Sequence, residues 1–251
     1  VLIWTEDITL GAVAWALFSG SLFGFGGLFL LYVLNSQEVS RTVPTVQTAP
    51  IFAAILGLLF LQESLNTLQW LAVLLTVSGA ALLSIRQDEE YRRIFLHSSF
   101  FLLMAASVIT AAGQVSGKVP LDTLSVPLTH GLRSLGLAGV LLVASIFDSR
   151  ARQDVAYLFR TRSPGLMLVA LSELLLVSLA FMLFLWAISM GPVGLVSALV
   201  ATRSLFVLVY STTLTLRFKD FLGEQVTPGA LAIKVISVSL IVIGVGTITV
   251  A

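Results

Sequence analysis

The chain contains no cysteine, only two histidines, and few charged residues, which make up 11% of the total. Without cysteine there is no disulfide framework, no thiolate metal site and no cysteine nucleophile. His97 and His130 lie far apart, and neither belongs to an HExxH pattern, so the sequence carries no signature of metallohydrolase chemistry. No cofactor motif is present, and no cofactor is expected. What fills the space is apolar: 57% of the 251 residues are hydrophobic, and the mean hydropathy is +1.02. Soluble domains carry about 45–50% apolar and about 25% charged residues. A soluble domain of this length could not hide so much apolar surface, so the composition dictates an all-α or all-β integral membrane protein. The net charge of +1 gives no argument for nucleic acid, and none is expected as a partner. The membrane lipids are.

A helix needs about 20 apolar residues to cross a hydrocarbon core of roughly 30 Å. Eight stretches qualify: 8–34, 42–62, 66–85, 95–117, 124–147, 165–190, 193–216 and 228–250. Membrane β-strands are about 10 residues of alternating polarity. These runs are longer and apolar throughout, so the expected fold is an all-α, multi-pass helical bundle. The chain begins Val1-Leu2-Ile3, with no basic region or small-residue cleavage site before the first span, so no signal peptide is expected.

Alternating the spans puts Arg41, Arg86, Arg92, Arg93, Arg150, Arg152, Arg160, Arg162, Arg217 and Lys219 on one side, and Lys118 on the other. The positive-inside rule assigns the arginine-rich loops to the cytoplasm and both ends of this chain to the outside. Small residues mark expected packing faces. Ala12, Ala16, Gly20 and Gly24 recur every four residues in the first span, as do Gly113 and Gly117 in the fourth.

Ionisable groups at bilayer depth are costly, so they are paired or functional. Glu173 lies roughly 13 Å into its span and Lys234 roughly 10 Å into the last span from the same side, which allows an ion pair between them. Arg203 falls near the middle of the seventh span. Arg133 and His130 enter the fifth from the opposite side, three residues apart on one helical face. Pro50 interrupts the hydrogen-bond ladder of the second span. Thr45, Gln47 and Thr48 add polar groups nearby, and Gln114 is a further candidate for the same lining. Two readings stand side by side: a mostly cationic cavity for an anionic or zwitterionic solute, or structural ion pairs with arginines reaching to the interface.

A hairpin occurs twice. Residues 42–84 form an apolar run, a break at Leu61-Gln62-Glu63, then a second run with a late Gly79. Residues 192–250 repeat the plan, with a break at Leu222-Gly223-Glu224 and Gly244. Aligning Glu63 with Glu224 and Phe52 with Phe206 needs seven extra residues in the second break. Each glutamate shortly precedes a helix, and each is expected to interact with that helix's positive N-terminal end.

The stretch from Ala49 to Ser84, with Pro50, Leu61-Gln62-Glu63, Gln69 and Gly79, resembles the EamA repeat of the drug/metabolite transporter superfamily. The second copy matches more loosely, lacking the mid-helix proline. The resemblance implies two five-helix repeats in inverted orientation, giving about eight spans here and ten in a complete protein. Residues 1–85 would then be a partial first repeat of three helices, and 94–250 a five-helix second repeat. Two helices are expected to be missing before Val1. The resemblance implies cytoplasmic termini, against the loop charges, and a prokaryotic plasma membrane. It also implies a secondary transporter or exporter of a small metabolite, working by alternating access. No Walker motif is present, so the energy would come from ion or solute gradients. A lipid-linked substrate flippase and a non-transporting membrane scaffold are the alternatives. An enzyme is not expected. Arg203, Gln47, Pro50, Gln114, Arg133, Glu173 and Lys234 are the candidate solute contacts, with no catalytic or metal-binding residue among them.

Overall fold

A computed structural model describes residues 8–36, 48–84, 98–148, 152–153, 156–157, 160–161, 164–203, 205–206, 209–210 and 228–250. Among them every regular element is helical. The helices are α1 (Leu10–Ser36), α2 (Ala49–Phe60), α3 (Thr67–Ser84), α4 (Ser98–Ser116), α5 (Val126–Phe147), α6, α7 (Val193–Ala201) and α8 (Pro228–Val250). A short 3-10 turn, Val119–Asp122, links α4 to α5. Helix α6 runs from Pro164 to Met190 and contains a π-helical segment, Glu173–Val177, flanked by Pro164–Ser172 and Ser178–Met190. Each of these eight helices overlaps one of the eight expected spans, with α1 running two residues past its span and α6 starting one residue before its own. Four contain stretches long and apolar enough to cross a membrane: Leu10–Val33, Phe101–Asp122, Val126–Phe147 and Gly165–Met190. The chain is a multi-pass helical membrane protein.

Apolar side chains cover the outside as well as the inside. Phe18, Phe101, Leu142, Leu174 and Trp186 are all exposed. A helix that is apolar all round belongs in a lipid solvent, where such residues meet acyl chains.

Proline marks where helices begin. Pro50, Pro127, Pro164 and Pro228 each stand in a first helical turn, and Pro192 is the N-cap of α7. A first-turn residue has no intrahelical partner for its N–H, so proline loses nothing there. This corrects the expectation of a mid-helix kink at Pro50. The described helix starts at Ala49, Thr48 is its N-cap, and Pro50 is buried in the first turn.

The chain separates into two compact units. Residues 1–28 and 112–191 form unit 1, and residues 29–111 and 192–251 form unit 2. In unit 2, α3 packs along α8 and α2 packs on α7. Its apolar centre is Val73, Val77, Leu195 and Ala198, with Ala80, Ala201 and Ile241 forming a second cluster. Glycine permits the close approach of α3 and α8. A Cβ on Gly79 would stand 2.7 Å from the Ser237 carbonyl oxygen, and one on Gly244 would stand 2.8 Å from the Thr76 nitrogen.

The Leu-Gln-Glu break of unit 2 has a specific geometry. The Gly57 carbonyl accepts hydrogen bonds from the N–H groups of both Leu61 and Glu63, at 3.0 and 3.2 Å. Between them Gln62 adopts φ 56°, a left-handed conformation that costs a non-glycine residue roughly 1 kcal/mol. The reversal folds Glu63 back over Gly57, where a Cβ would come within 2.7 Å of the Glu63 Oε2. Oε2 then accepts the Val193 N–H at 2.8 Å. Glu63 therefore anchors the start of α7, rather than only the helix that follows it in sequence. The start of α3 is closed locally by a reciprocal pair. The Gln69 N–H donates to Asn66 Oδ1 at 2.8 Å, and the Asn66 N–H donates to Gln69 Oε1 at 3.0 Å, a capping-box arrangement. Glu224 lies outside the described residues.

Candidate functional site

The site lies in unit 1 and is built on α5. Ser125, in extended conformation, and Pro127 start this helix. Its turns then place Thr129, His130, Arg133, Gly136 and Leu137 at three- and four-residue spacing along one side. Arg133 lies about 10 Å along the helix from Val126. It is only 6% exposed.

Three helices meet around its guanidinium, and glycine makes the meeting possible. A Cβ on Gly20 of α1 would collide with the Arg133 carbonyl, and one on Gly136 of α5 with the Leu17 carbonyl. Gly113, near the end of α4, abuts Phe23 and Ser19 of α1. A Cβ on Gly117 would lie 3.0 Å from both Cζ and Nη1 of Arg133. The small-residue spacings seen in the sequence thus serve this crossing, with Ala16 fully buried beside Gly20.

Arg133 is poorly satisfied for a buried cation. Its Nη2 donates to the Gly113 carbonyl at 3.4 Å, and its Cζ lies 5.9 Å from the centroid of the Phe23 ring. A carbonyl offers two lone pairs, yet this one is approached by four donors. Ser19 Oγ donates at 2.7 Å, the Gly117 N–H at 3.3 Å, Ser116 Oγ at 3.4 Å, and Arg133 at 3.4 Å. Among the described residues no carboxylate pairs with Arg133. A guanidinium has five N–H donors, so most of its capacity and all of its charge remain uncompensated by the described residues.

Beside it is a cleft lined by Gly20, Phe23, His130, Arg133, Ser134, Leu137 and Phe181. The walls are mainly aromatic and aliphatic. His130 stacks on Phe181, with ring centroids 6.5 Å apart and planes 19° apart, and Phe181 meets Phe23 edge-on at 5.3 Å. His130 Nε2 and Ser178 Oγ are hydrogen-bonded at 2.8 Å. Ser178 is the residue at which the π segment of α6 ends, and its N–H reaches the carbonyls of Glu173 and Leu175. A π segment widens the helix by one residue per turn and is often found at functional sites. Sequence reasoning missed Ser178, because nothing in the run SELLLVS announces a change of helical pitch. A Ser–His pair also invites a hydrolytic reading. Among the described residues, however, nothing hydrogen-bonds Nδ1 of His130, the position where a triad needs its orienting group.

The other sequence candidates are spread over both units. Gln114 is half-buried on α4 in unit 1, beside Gly113, while Glu173 opens the π segment of α6 with its side chain exposed. Pro50, Arg203 and Lys234 belong to unit 2: Pro50 is buried, Lys234 half-buried, and Arg203 exposed just beyond α7. Glu173 and Lys234 thus fall in different units, and their pairing remains a proposal. Gln47 lies outside the described residues. Of the six described candidates, only Arg133 lines the cleft.

Comparison with known proteins agrees with the helical pattern. Residues 1–85 match the EamA-like transporter family. Over 73 residues the chain is 34% identical to an uncharacterized protein of Methanocaldococcus jannaschii, covering 29% of this chain and 53% of that protein. Over 84 residues it is 30% identical to an uncharacterized transporter in the cobO 3′ region of a Sinorhizobium species, covering 33% of this chain and 60% of that one. The chain thus spans little more than half the length of these curated relatives. A solved structure, described only as the crystal structure of a protein, superposes with a TM-score of 0.62. That superposition covers 94% of this chain and 75% of the other at 19% identity, and it shows a shared fold. Over residues 1–85 this chain is similar to the EamA-like transporter family, and its multi-pass helices agree with that match.

Proposed function

We propose that the protein is a secondary transporter or exporter of a small metabolite, and that the cleft at Arg133 contacts the solute. The observation that carries this reading is Arg133 itself. A charged group at membrane depth is retained against a cost of several kcal/mol, and this one has no carboxylate partner among the described residues while lining a cleft. An incoming anion or zwitterion supplies the missing charge. The two EamA-type repeats, residues 1–85 and 94–250, would alternate access to the solute, and Arg203, Gln47, Pro50, Gln114, Glu173 and Lys234 remain candidate contacts along its path. A small-molecule solute, the bilayer lipids and a prokaryotic plasma membrane complete the reading. A lipid-linked substrate with a phosphate head group is the second reading, supported by the same buried cation. We read the role as transport rather than bond-breaking, because among the described residues nothing hydrogen-bonds Nδ1 of His130.

The test is counterflow into proteoliposomes containing the full-length protein, using a panel of labelled anionic, zwitterionic and neutral metabolites. At least one should enter faster than into protein-free vesicles, and Arg133→Ala should abolish the difference while the protein remains folded in the membrane. A panel that never exceeds the protein-free rate would defeat the transport reading. Undiminished uptake by the variant would defeat the site.

A further inference from the structure

The transport reading leaves open whether the solute is an anion, a dianion or a zwitterion, and the chemistry of the cleft discriminates among them. Among the described residues its lining contains one permanently charged side chain, Arg133, and no acidic residue. A zwitterion brings an ammonium that needs an acceptor of matching charge, and the lining offers only the Ser134 hydroxyl and the His130 ring. His130 already engages Ser178 through Nε2. A dianion brings one negative charge more than Arg133 can compensate, and an unpaired buried charge is strongly disfavoured. One negative charge fits.

The rest of the lining specifies what the charge is attached to. Phe23, Phe181 and Leu137, with the stacked face of His130, form an apolar wall opposite few polar atoms. Flat apolar groups gain from stacked or edge-on packing against such rings. Arg133 is held in place at the helix crossing, beside the cleft. One side is fixed by the long bond to the Gly113 carbonyl and the Phe23 face, and the other by Gly117, where a Cβ would displace the guanidinium.

We infer that the unit 1 cleft binds a singly charged organic anion, a monoanion joined to an apolar or aromatic body, through Arg133. This rests on the transport reading for its biological sense, but not for its test. Two sources supply such chemistry: a soluble monocarboxylate, or the phosphodiester of an anionic lipid.

The experiment uses the full-length protein purified in detergent and measures affinity by ligand-induced thermal stabilisation. The probes are phenylacetate, its neutral isostere phenylacetamide, zwitterionic phenylalanine, the dianion phthalate, and phosphatidylglycerol in mixed micelles. Phenylacetate should bind at least about tenfold more tightly than phenylacetamide, the discrimination expected when a charge-assisted hydrogen bond is lost. It should also bind more tightly than phenylalanine and phthalate. Arg133→Gln should remove the difference between acid and amide. Arg133→Lys, which keeps the charge but not the fork, should retain only part of it. Phe181→Leu should weaken acid and amide alike, by a few-fold, and so reports on the apolar wall if the arginine variants fail to fold. Binding of phosphatidylglycerol in place of phenylacetate supports the single-anion assignment and places its source in the bilayer. Equal affinity for acid and amide, a preference for the zwitterion or dianion, or full discrimination by Arg133→Gln overturns it. The two proposals fail separately. Transport of a neutral or dianionic solute would leave the transport reading standing without this one, and phenylacetate binding without movement would do the reverse.

Discussion

The α1–α5 crossing in unit 1 and the α3–α8 crossing in unit 2 use the same device for different ends. In both, glycine lets backbones approach to distances that no side chain would permit: Gly20 and Gly136 in one, Gly79 and Gly244 in the other. In unit 2 the polar atoms caught by this approach are hydroxyls. Thr76 Oγ1 and Ser237 Oγ are buried without hydrogen-bond partners among the described residues, amid apolar neighbours. Unit 1 holds one such hydroxyl, Thr129 Oγ1, but there a guanidinium is caught as well, and it borders a cleft. A buried hydroxyl without a partner costs about 1–3 kcal/mol and is tolerated. A buried charge costs more, so its presence calls for a ligand or a function. Tight packing is therefore common to both units, and only the charge singles out one of them.

The contrast can be broken most forcefully by adding volume. Gly244→Leu should destabilise the protein by about 3 kcal/mol, the upper end of overpacking costs, as read from thermal unfolding in detergent. Gly139→Ala should change almost nothing, since no atom lies within 4 Å of the added methyl. A similar response from both would deny that the close approach is real. Next in size is Arg133→Met. Replacing an underpaired buried charge by an apolar chain of similar length should stabilise the fold by about 1–3 kcal/mol, while solute binding disappears. That opposition is the mark of a functional site held at a cost in stability. A loss of stability instead would make Arg133 a structural residue.

Glu63→Ala should cost about 1 kcal/mol by leaving the Val193 N–H uncapped, and Glu63→Gln should cost less, because it keeps an acceptor and gives up only the charge at the helix end. Unfolding midpoints of the two variants would separate these contributions. The smallest change is expected from the double variant Thr76→Val, Ser237→Ala. Removing two orphaned hydroxyls should leave stability unchanged or raise it by up to about 1 kcal/mol, with transport unaffected. A clear fall in stability would mean that these hydroxyls have partners.

Much of this was legible in the chain. Eight long apolar runs fix helices and a membrane, because only a self-satisfied backbone survives in lipid. The spacing of Gly113 and Gly117 announced a close packing face. His130 and Arg133, three apart, announced a shared helical side. Other features were not legible. Pro50 reads as a kink until the helix is seen to start at Ala49. Glu63 reads as the partner of the next helix until Gln62 turns it toward α7, since sequence proximity does not report which N–H a folded chain will offer. Ser178 could not be linked to His130, because a π segment has no distinct composition.

The sequence by itself determined the solvent, the helices and the cheapness of their contacts, since these follow from hydrophobicity, period and residue size. Only the tertiary structure decided which of several intramembrane charges matters as a site. Charge and depth are similar for Arg133 and Arg203 in the sequence. Burial, an oversubscribed carbonyl and a cleft beside it are properties of helices brought together, and they belong to Arg133.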